Sequence, residues 1–177
     1  MKRILLIAMF AALAGVVRAQ DKLPEYGTID DIKNLTKVYV TADDDGVRST
    51  IVGMLHGYER LQVVNSPKEA EIILEYTTLT RDVAANRGPG AMGASMAQKS
   101  QMRASVLRTD GGRLIAWSKT ETYDVTNGFV LGAPNEVNLT HHFVEAIQKA
   151  RGEKPSSMRE LFKSAQQYKK EQKKKKS

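Results

Sequence analysis

The chain has 177 residues, a formal net charge of +7 and no cysteine. The absence of cysteine excludes disulfide bonds, a thiol nucleophile, thiolate metal sites and attachment to lipid through a cysteine. Once the predicted leader described below is subtracted, the length fits one domain with a hydrophobic core and an appendage.

The charge is unevenly distributed along the chain. Residues 149–177 contain 11 Lys or Arg against three Glu, a net charge of +8. Residues 20–148 carry 13 basic against 17 acidic side chains, or −4. A mildly acidic body is therefore followed by a strongly basic end, which predicts that binding to polyanions is carried by the C-terminal region.

Residues 1–19 have the pattern of a cleavable secretory signal peptide. Lys2 and Arg3 form a charged head, and residues 4–17 are an apolar run of 14 residues. This run is shorter than the ~20 residues that span a bilayer, which favours cleavage over the alternative of an uncleaved anchor. Ala19 is a small residue before the cleavage point, so we expect the mature chain to begin at Gln20. The protein is thus predicted to be exported to the periplasm or the medium, with no transmembrane segment after cleavage.

The first strand and helix of the domain follow a short lead-in. Residues 20–27 have no apolar periodicity, which predicts an extended segment ahead of a single domain over 28–152. Alternating valines predict a strand over 37–41. Apolar residues recur at helical spacing from Val47 to Tyr58 and predict a helix, which a preceding aspartate caps and Gly57 ends.

Further strands and a hairpin are predicted in the rest of the domain. Residues 61–64 are a short apolar run, and residues 72–79 alternate as in a half-buried strand. Residues 101–108 and 113–123 flank an Asp-Gly turn, which supplies the positive φ that a tight hairpin needs. The bias of residues 84–99 toward Ala, Gly and Met predicts a flexible loop that proteases cut readily.

Two helices complete the chain. Asn135 is the predicted N-cap of a helix over 136–151, which Gly152 and Pro155 end. Residues 153–177 are predicted to form an amphipathic helix and then a basic tail that leaves the helix at about Lys173. We expect one stripe of this helix to pack on the body, namely Met158, Leu161, Phe162, Ala165 and Tyr168.

The predicted element order is β-α-β-β-β-β-α-α. Because the later strands follow one another without helices between them, the order disfavours a doubly wound parallel sheet. The order predicts an α+β fold, a two-layer sandwich in which helices cover one face of a mixed sheet of four to five strands.

Residues 37–79 resemble a module of bacterial envelope proteins. A strand and a helix lead into a short apolar strand, and an alternating strand follows a turn that contains Ser66, Pro67, Glu69, Ala70 and Glu71. This order is similar to the αβ module of curli-secretion lipoproteins, of the TolB amino-terminal domain and of related periplasmic proteins. The resemblance implies this fold and an envelope location, but it contains no catalytic residue. It does not extend to a lipid anchor, because the chain has no cysteine.

Two motifs point to chemistry that their surroundings do not support. Gly88, Gly90 and Gly93 spell G-x-G-x-x-G, which binds dinucleotides when it follows the first strand and opens a helix. Here it lies inside the predicted loop. Ser95 lies in a partial nucleophile elbow without the last glycine and without a strand directly before it. We therefore predict neither a cofactor nor a serine nucleophile.

The histidines and the aspartate run do not form a predicted site. His141 and His142 are adjacent, so on a helix they point about 100° apart and are not expected to share a metal ion. His56 stands alone. The aspartates of residues 43–45 lack the spacing of a calcium loop, and helix capping explains them better. No catalytic, cofactor or metal residue is predicted.

The candidate binding residues are the C-terminal lysines, Lys169, Lys170, Lys173, Lys174, Lys175 and Lys176. Such a cluster neutralises anionic groups without sequence specificity. Export favours envelope polyanions or anionic lipid headgroups over nucleic acid, and only Tyr168 offers an aromatic ring for base stacking. The alternative is a solvated tail that binds nothing.

Three functions stay open on the sequence alone. The leading hypothesis is an exported, non-catalytic bacterial envelope protein whose α+β domain binds another protein or an envelope component. The second is a peripheral protein that binds polyanions or anionic membranes through its basic C-terminal tail. The third, a hydrolase, needs a nucleophile, a base and an orienting group that the spacing of residues does not assemble.

Overall fold

The computed structural model describes residues 23–85, 94–126, 129–130 and 133–176, so the predicted signal peptide lies outside the described residues. The described part contains seven β-strands and three α-helices. The strands are β1 (Glu25–Tyr26), β2 (Lys37–Ala42), β3 (Gln62–Val63), β4 (Ile72–Ala85), β5 (Ala94–Leu107), β6 (Arg113–Thr126) and β7 (Phe129–Val130). The helices are α1 (Asp45–Leu55), α2 (Asn135–Ala150) and α3 (Met158–Lys176).

The strands form one mixed sheet in the order β1-β6-β5-β4-β2-β3, and β7 pairs with β6. β2 is parallel to β3 and β4, whereas β4, β5 and β6 form an antiparallel ribbon. The predicted α+β sandwich is confirmed. The number of strands in the described part exceeds the predicted four to five, because Glu25–Tyr26 of the predicted lead-in pairs in parallel with β6 and Phe129–Val130 adds a second short strand.

The hydrophobic core lies between one face of the sheet and the helices. Strand residues two positions apart point to the same face, so Val38 and Val40 share it with Ile72, Leu74 and Tyr76. The helices contribute buried side chains that include Ile51, Met54 and Leu55 from α1, Leu139, Phe143, Val144 and Ile147 from α2, and Leu161 and Ala165 from α3.

The start of α1 confirms the role predicted for the aspartate run. The Asp44 carboxylate accepts a hydrogen bond from the amide of Val47 at 2.9 Å, as an N-cap does. The neighbouring Asp43 accepts from the amide of Thr78 at 2.7 Å, beside the register shift of β4. The helix ends at Leu55, earlier than the predicted end at Gly57.

The hairpin between β5 and β6 is confirmed, and Gly111 has the positive φ, 79°, that its turn requires. The predicted loop boundaries are wrong, since residues 84–85 belong to β4 and residues 94–99 to β5. Main-chain pairing from Ile73 with Ser105 to Ala85 with Ala94 extends both strands, and such pairing does not need large side chains. Residues 86–93 lie outside the described residues.

Asn135 is not the N-cap of α2. Pro134 occupies that position, and Asn135 is the first helical residue. The buried Asn135 side chain instead donates to the carbonyl of Gln98 at 2.6 Å and to the hydroxyl of Ser100 at 3.1 Å. The amide side chain therefore ties α2 to β5 across the core rather than capping the helix.

The predicted packing of the α3 stripe is confirmed for four of its five residues. Leu161 and Ala165 are buried, and Met158 and Tyr168 pack against the core, while Phe162 stays 39% exposed. The helix continues to Lys176, so the prediction that the chain leaves the helix at about Lys173 is wrong. Lysine is a good helix former, and its charge interacts favourably with the negative end of the helix dipole.

α1 and α3 approach each other closely where α1 carries a glycine. A Cβ atom placed on Gly53 would lie 2.7 Å from the Cα atom of Ala165. That distance is shorter than any real Cβ contact, so at this point α1 admits only glycine without a shift of α3. Just past the end of α1, a Cβ atom on Gly57 would lie 2.6 Å from the side-chain oxygen of Ser164.

Candidate functional site

The C-terminal two turns of α3 place the predicted lysines in two different environments. Lys170, Lys173, Lys174 and Lys175 are exposed, and no carboxylate of the described residues pairs with them. The side chain of Lys176 lies outside the described residues. This exposed set, called here the basic end of α3, is free to contact an external anion.

Lys169 differs from the other lysines because its side chain contacts the body. Its ammonium group donates a hydrogen bond to the Thr50 hydroxyl on α1 at 2.8 Å. It also faces Glu136, whose pKa is raised by burial and lowered to a lesser degree by the Lys169 charge. Lys169 thus helps to fix α3 on α1, and the structure separates it from the basic end.

A groove of about 860 Å³ lies between α1 and the C-terminal half of α3. The rings of His56 and Tyr168 stack inside it, with centroids 4.8 Å apart. Its other charged lining residues are of both signs, namely Asp45, Arg48, Glu171 and Lys175. His56, which stands alone in the sequence, therefore packs on an aromatic ring at the helix interface.

His141, His142 and Glu145 come together on α2, where all three side chains are half-buried. One nitrogen of each ring and one carboxylate oxygen lie within 4.8 Å of one another. The prediction that the two histidines do not share a metal ion rested on the 100° between adjacent helical residues. It left out Glu145, which follows His141 by four positions and His142 by three and so lies on the same side of the helix. In the structure, the 100° between the two histidines does not keep a nitrogen of one ring from lying within 4.8 Å of a nitrogen of the other.

Arg151 is the centre of a polar network that the sequence did not reveal. Its guanidinium group donates to the carbonyl oxygens of Lys33 and Leu35 and to the hydroxyl of Tyr58. The Tyr58 hydroxyl donates to Glu153 at 2.6 Å, and burial raises the pKa of this phenol. All three partners are far from Arg151 in the sequence, so no local pattern marks it, and the contacts join α2 to the segment before β2.

An apolar pocket of about 440 Å³ lies beside α3 and is lined by Ala133, Pro134, Val137, Met158, Arg159 and Phe162. Phe162 lines this open pocket, so part of its side chain stays exposed. The G-x-G-x-x-G glycines and the side chain of Ser95 lie outside the described residues. Within the described part of the chain, no helix combines the length and apolar character needed to cross a bilayer.

No protein-family model and no curated protein matches the chain. Among solved structures, it is similar to a hypothetical protein of Chlamydia trachomatis, with 11% identity, a TM-score of 0.39, and coverage of 74% of this chain and 93% of that one. A lipoprotein from Neisseria meningitidis matches with 8% identity, a TM-score of 0.37, and coverage of 66% and 98%. An uncharacterized lipoprotein from Nitrosomonas europaea matches with 16% identity, a TM-score of 0.37, and coverage of 75% and 79%. Two of these three structures are thus bacterial lipoproteins, at low sequence identity.

Proposed function

We propose that the chain is an exported, non-catalytic protein of the bacterial cell envelope, and that it binds an anionic envelope component through the basic end of α3. The observation that carries the proposal is the set Lys170, Lys173, Lys174 and Lys175, exposed on a helix and unpaired within the described residues. The signal-peptide pattern of residues 1–19 supports export.

The N-terminal half of α3 supports the proposal by fixing the helix on the body. Leu161 is fully buried and Ala165 nearly so, and Lys169 is hydrogen bonded to α1. The lysines beyond this anchor extend a helix that is already ordered, so that binding does not have to order the backbone. Because the backbone entropy is already lost on folding, this end of the helix is favoured for binding over a disordered tail of the same charge.

The number of exposed lysines sets the expected strength of binding. Each lysine close to an anionic surface contributes about 1 kcal/mol at physiological ionic strength, so four contribute about 4 kcal/mol. Since about 1.4 kcal/mol corresponds to tenfold in affinity, replacing all four is expected to weaken binding by about 1000-fold. Binding of this kind falls steeply with added salt.

Cosedimentation with lipid vesicles tests the proposal. The mature chain is expected to bind phosphatidylglycerol vesicles and not phosphatidylcholine vesicles, and to be released by salt. A variant with glutamine at Lys170, Lys173, Lys174 and Lys175 should lose this binding without a change in melting temperature. A variant with the same net charge, in which the exposed Lys68, Lys99, Lys154 and Lys163 are replaced instead, serves as the control.

Two results contradict the proposal. Vesicle binding that survives loss of the four lysines, or that does not respond to salt, rejects the basic end as the binding surface. Equal loss of binding in both glutamine variants shows that net charge, and not the position of the lysines on α3, is responsible. A pull-down from native envelopes, with and without the four lysines, then distinguishes a protein partner from an anionic surface.

A further inference from the structure

We propose that His141, His142 and Glu145 on α2 form a binding site for one divalent transition-metal ion, with zinc as the ion that its donors suit best. Two imidazole nitrogens and a carboxylate oxygen within 4.8 Å of one another supply three ligands. Zinc accepts this combination of donors with a fourth position left for water or another group. The site is independent of the basic end of α3 and of its proposed function.

The hydrogen bond of His141 leaves one ring nitrogen available. Its Nε2 lies 3.2 Å from the carbonyl oxygen of Ser156, and a carbonyl only accepts, so Nε2 carries the hydrogen. In the neutral ring Nδ1 then has a free lone pair. This Nδ1 is buried and has no hydrogen-bond partner among the described residues. A buried acceptor without a partner is costly, and a metal ion would satisfy it.

The surroundings of His142 and Glu145 fit the same arrangement. His142 Nε2 lies 3.4 Å from the Glu121 carboxylate on β6, while its Nδ1 lies 3.6 Å from Oε2 of Glu145. Lys149 holds the other Glu145 oxygen, Oε1, at 2.6 Å. One polar atom of each of the three side chains is therefore held by a neighbour, which leaves the other available to an ion. Metal-binding histidines are oriented in this way by carbonyl or carboxylate partners.

The required adjustment is small. Zinc binds nitrogen and oxygen at about 2.0–2.2 Å, so tetrahedral ligand atoms lie roughly 3.5 Å apart. His142 Nδ1 and Glu145 Oε2 already have about this separation, at 3.6 Å. The remaining contraction, from at most 4.8 Å, is within the reach of rotations about side-chain bonds on a fixed helix.

The test is a titration of the untagged, chelator-treated mature chain with Zn²⁺ by calorimetry, together with the visible spectrum of the Co²⁺ form. We expect one equivalent of Zn²⁺ to bind and Co²⁺ to show the intense absorption of a tetrahedral site. His142→Gln and Glu145→Gln should each weaken Zn²⁺ binding by at least about tenfold, and Glu121→Gln, which alters only a supporting partner, by about 10- to 100-fold. His56→Asn, which removes the histidine outside the cluster, should leave the affinity unchanged.

The outcomes that overturn the proposal are equally specific. They are the absence of saturable Zn²⁺ binding, retention of full affinity in His142→Gln and Glu145→Gln, or loss of affinity in His56→Asn. Displacement of Zn²⁺ by an equal concentration of Ca²⁺ also overturns it, since that behaviour belongs to an all-oxygen site. Melting temperatures in the presence of chelator show that each variant is folded, so that lost binding is not lost structure.

Discussion

The close contact between α1 and α3 makes Gly53→Ala a sharp test of how α3 is docked. In an isolated helix this change is favourable, because alanine has a helix propensity about 1 kcal/mol better than glycine. In the folded protein the new methyl group would lie 2.7 Å from the Cα atom of Ala165 and 3.2 Å from its carbonyl oxygen. Both contacts involve the α3 backbone, which no side-chain rotation can relieve.

The magnitude follows from these two opposed effects. Forcing a methyl group into a packed site costs about 1–3 kcal/mol, and here the cost lies at the upper end because a whole helix has to move. Moving α3 also disturbs the Lys169 hydrogen bond to Thr50 and the stacking of His56 on Tyr168. After subtraction of the propensity gain, we expect a net loss of about 1–2 kcal/mol, or a fall in melting temperature of about 3–6 °C for a domain of this size.

Thermal unfolding followed by circular dichroism, with urea unfolding as a second measurement, checks this value. Ser49→Ala, one turn earlier in α1 at a half-buried position, is the matched control and should change the free energy of unfolding by less than about 0.5 kcal/mol. A Gly53→Ala variant as stable as the parent, or more stable, would refute the reasoning. In that case α3 does not approach α1 as described.

Three further predictions concern polar contacts. Lys169→Gln should lower the free energy of unfolding by about 1 kcal/mol through loss of its bond to Thr50, whereas the exposed Lys174→Gln should leave it unchanged in urea unfolding. Glu71→Gln should cost about 1 kcal/mol at neutral pH, because the amides of Lys37 and Thr36 hold the pKa of Glu71 below its usual value. A carboxylate whose pKa is lowered in the folded state stabilises the protein at pH values above its ordinary pKa, and this stabilisation is lost as the pH falls. The unfolding free energies of the parent and of Glu71→Gln should therefore converge below about pH 4.5, and a constant difference between them contradicts this. Arg151→Met leaves two carbonyls and a phenol without a donor and should cost about 2–3 kcal/mol in urea unfolding, and a loss under 0.5 kcal/mol would show that water replaces the guanidinium.

The sequence predicted those parts of the fold that depend on local patterns. Alternation located β2 and the start of β4, the Asp-Gly turn located the hairpin, and Asp44 capped α1 as expected. The stripe on α3 was recognised because helical spacing of apolar residues directly reports a buried face. The structure also gives a physical role to Glu71 of the envelope-protein resemblance, which binds the amides at the start of β2.

Features that depend on main-chain pairing or on distant partners were missed. The extensions of β4 and β5 have no clear apolar alternation and reach into residues 84–99, where the bias toward Ala, Gly and Met indicated a loop. Asn135 has the side chain of a helix cap, but its partner Ser100 lies on a strand that only the fold brings near. The spacing H-H-x-x-E at His141 did carry a usable signal, since residues three and four apart on a helix lie on the same side.

The position of α3 in the chain has a consequence for the order in which the protein can fold. Leu161 and Ala165 fill the core beside Gly53, more than a hundred residues earlier in the sequence. If the amino-terminal part of the chain folds first, the surface of α1 that contacts α3 stays uncovered until α3 is available. Long-range contacts of this kind form late and slowly. A protease that cuts ahead of Met158 would remove the lysines and reopen the core in one step. Such a cut would therefore remove stability and surface charge together, whereas substitution of the exposed lysines alone removes only the charge.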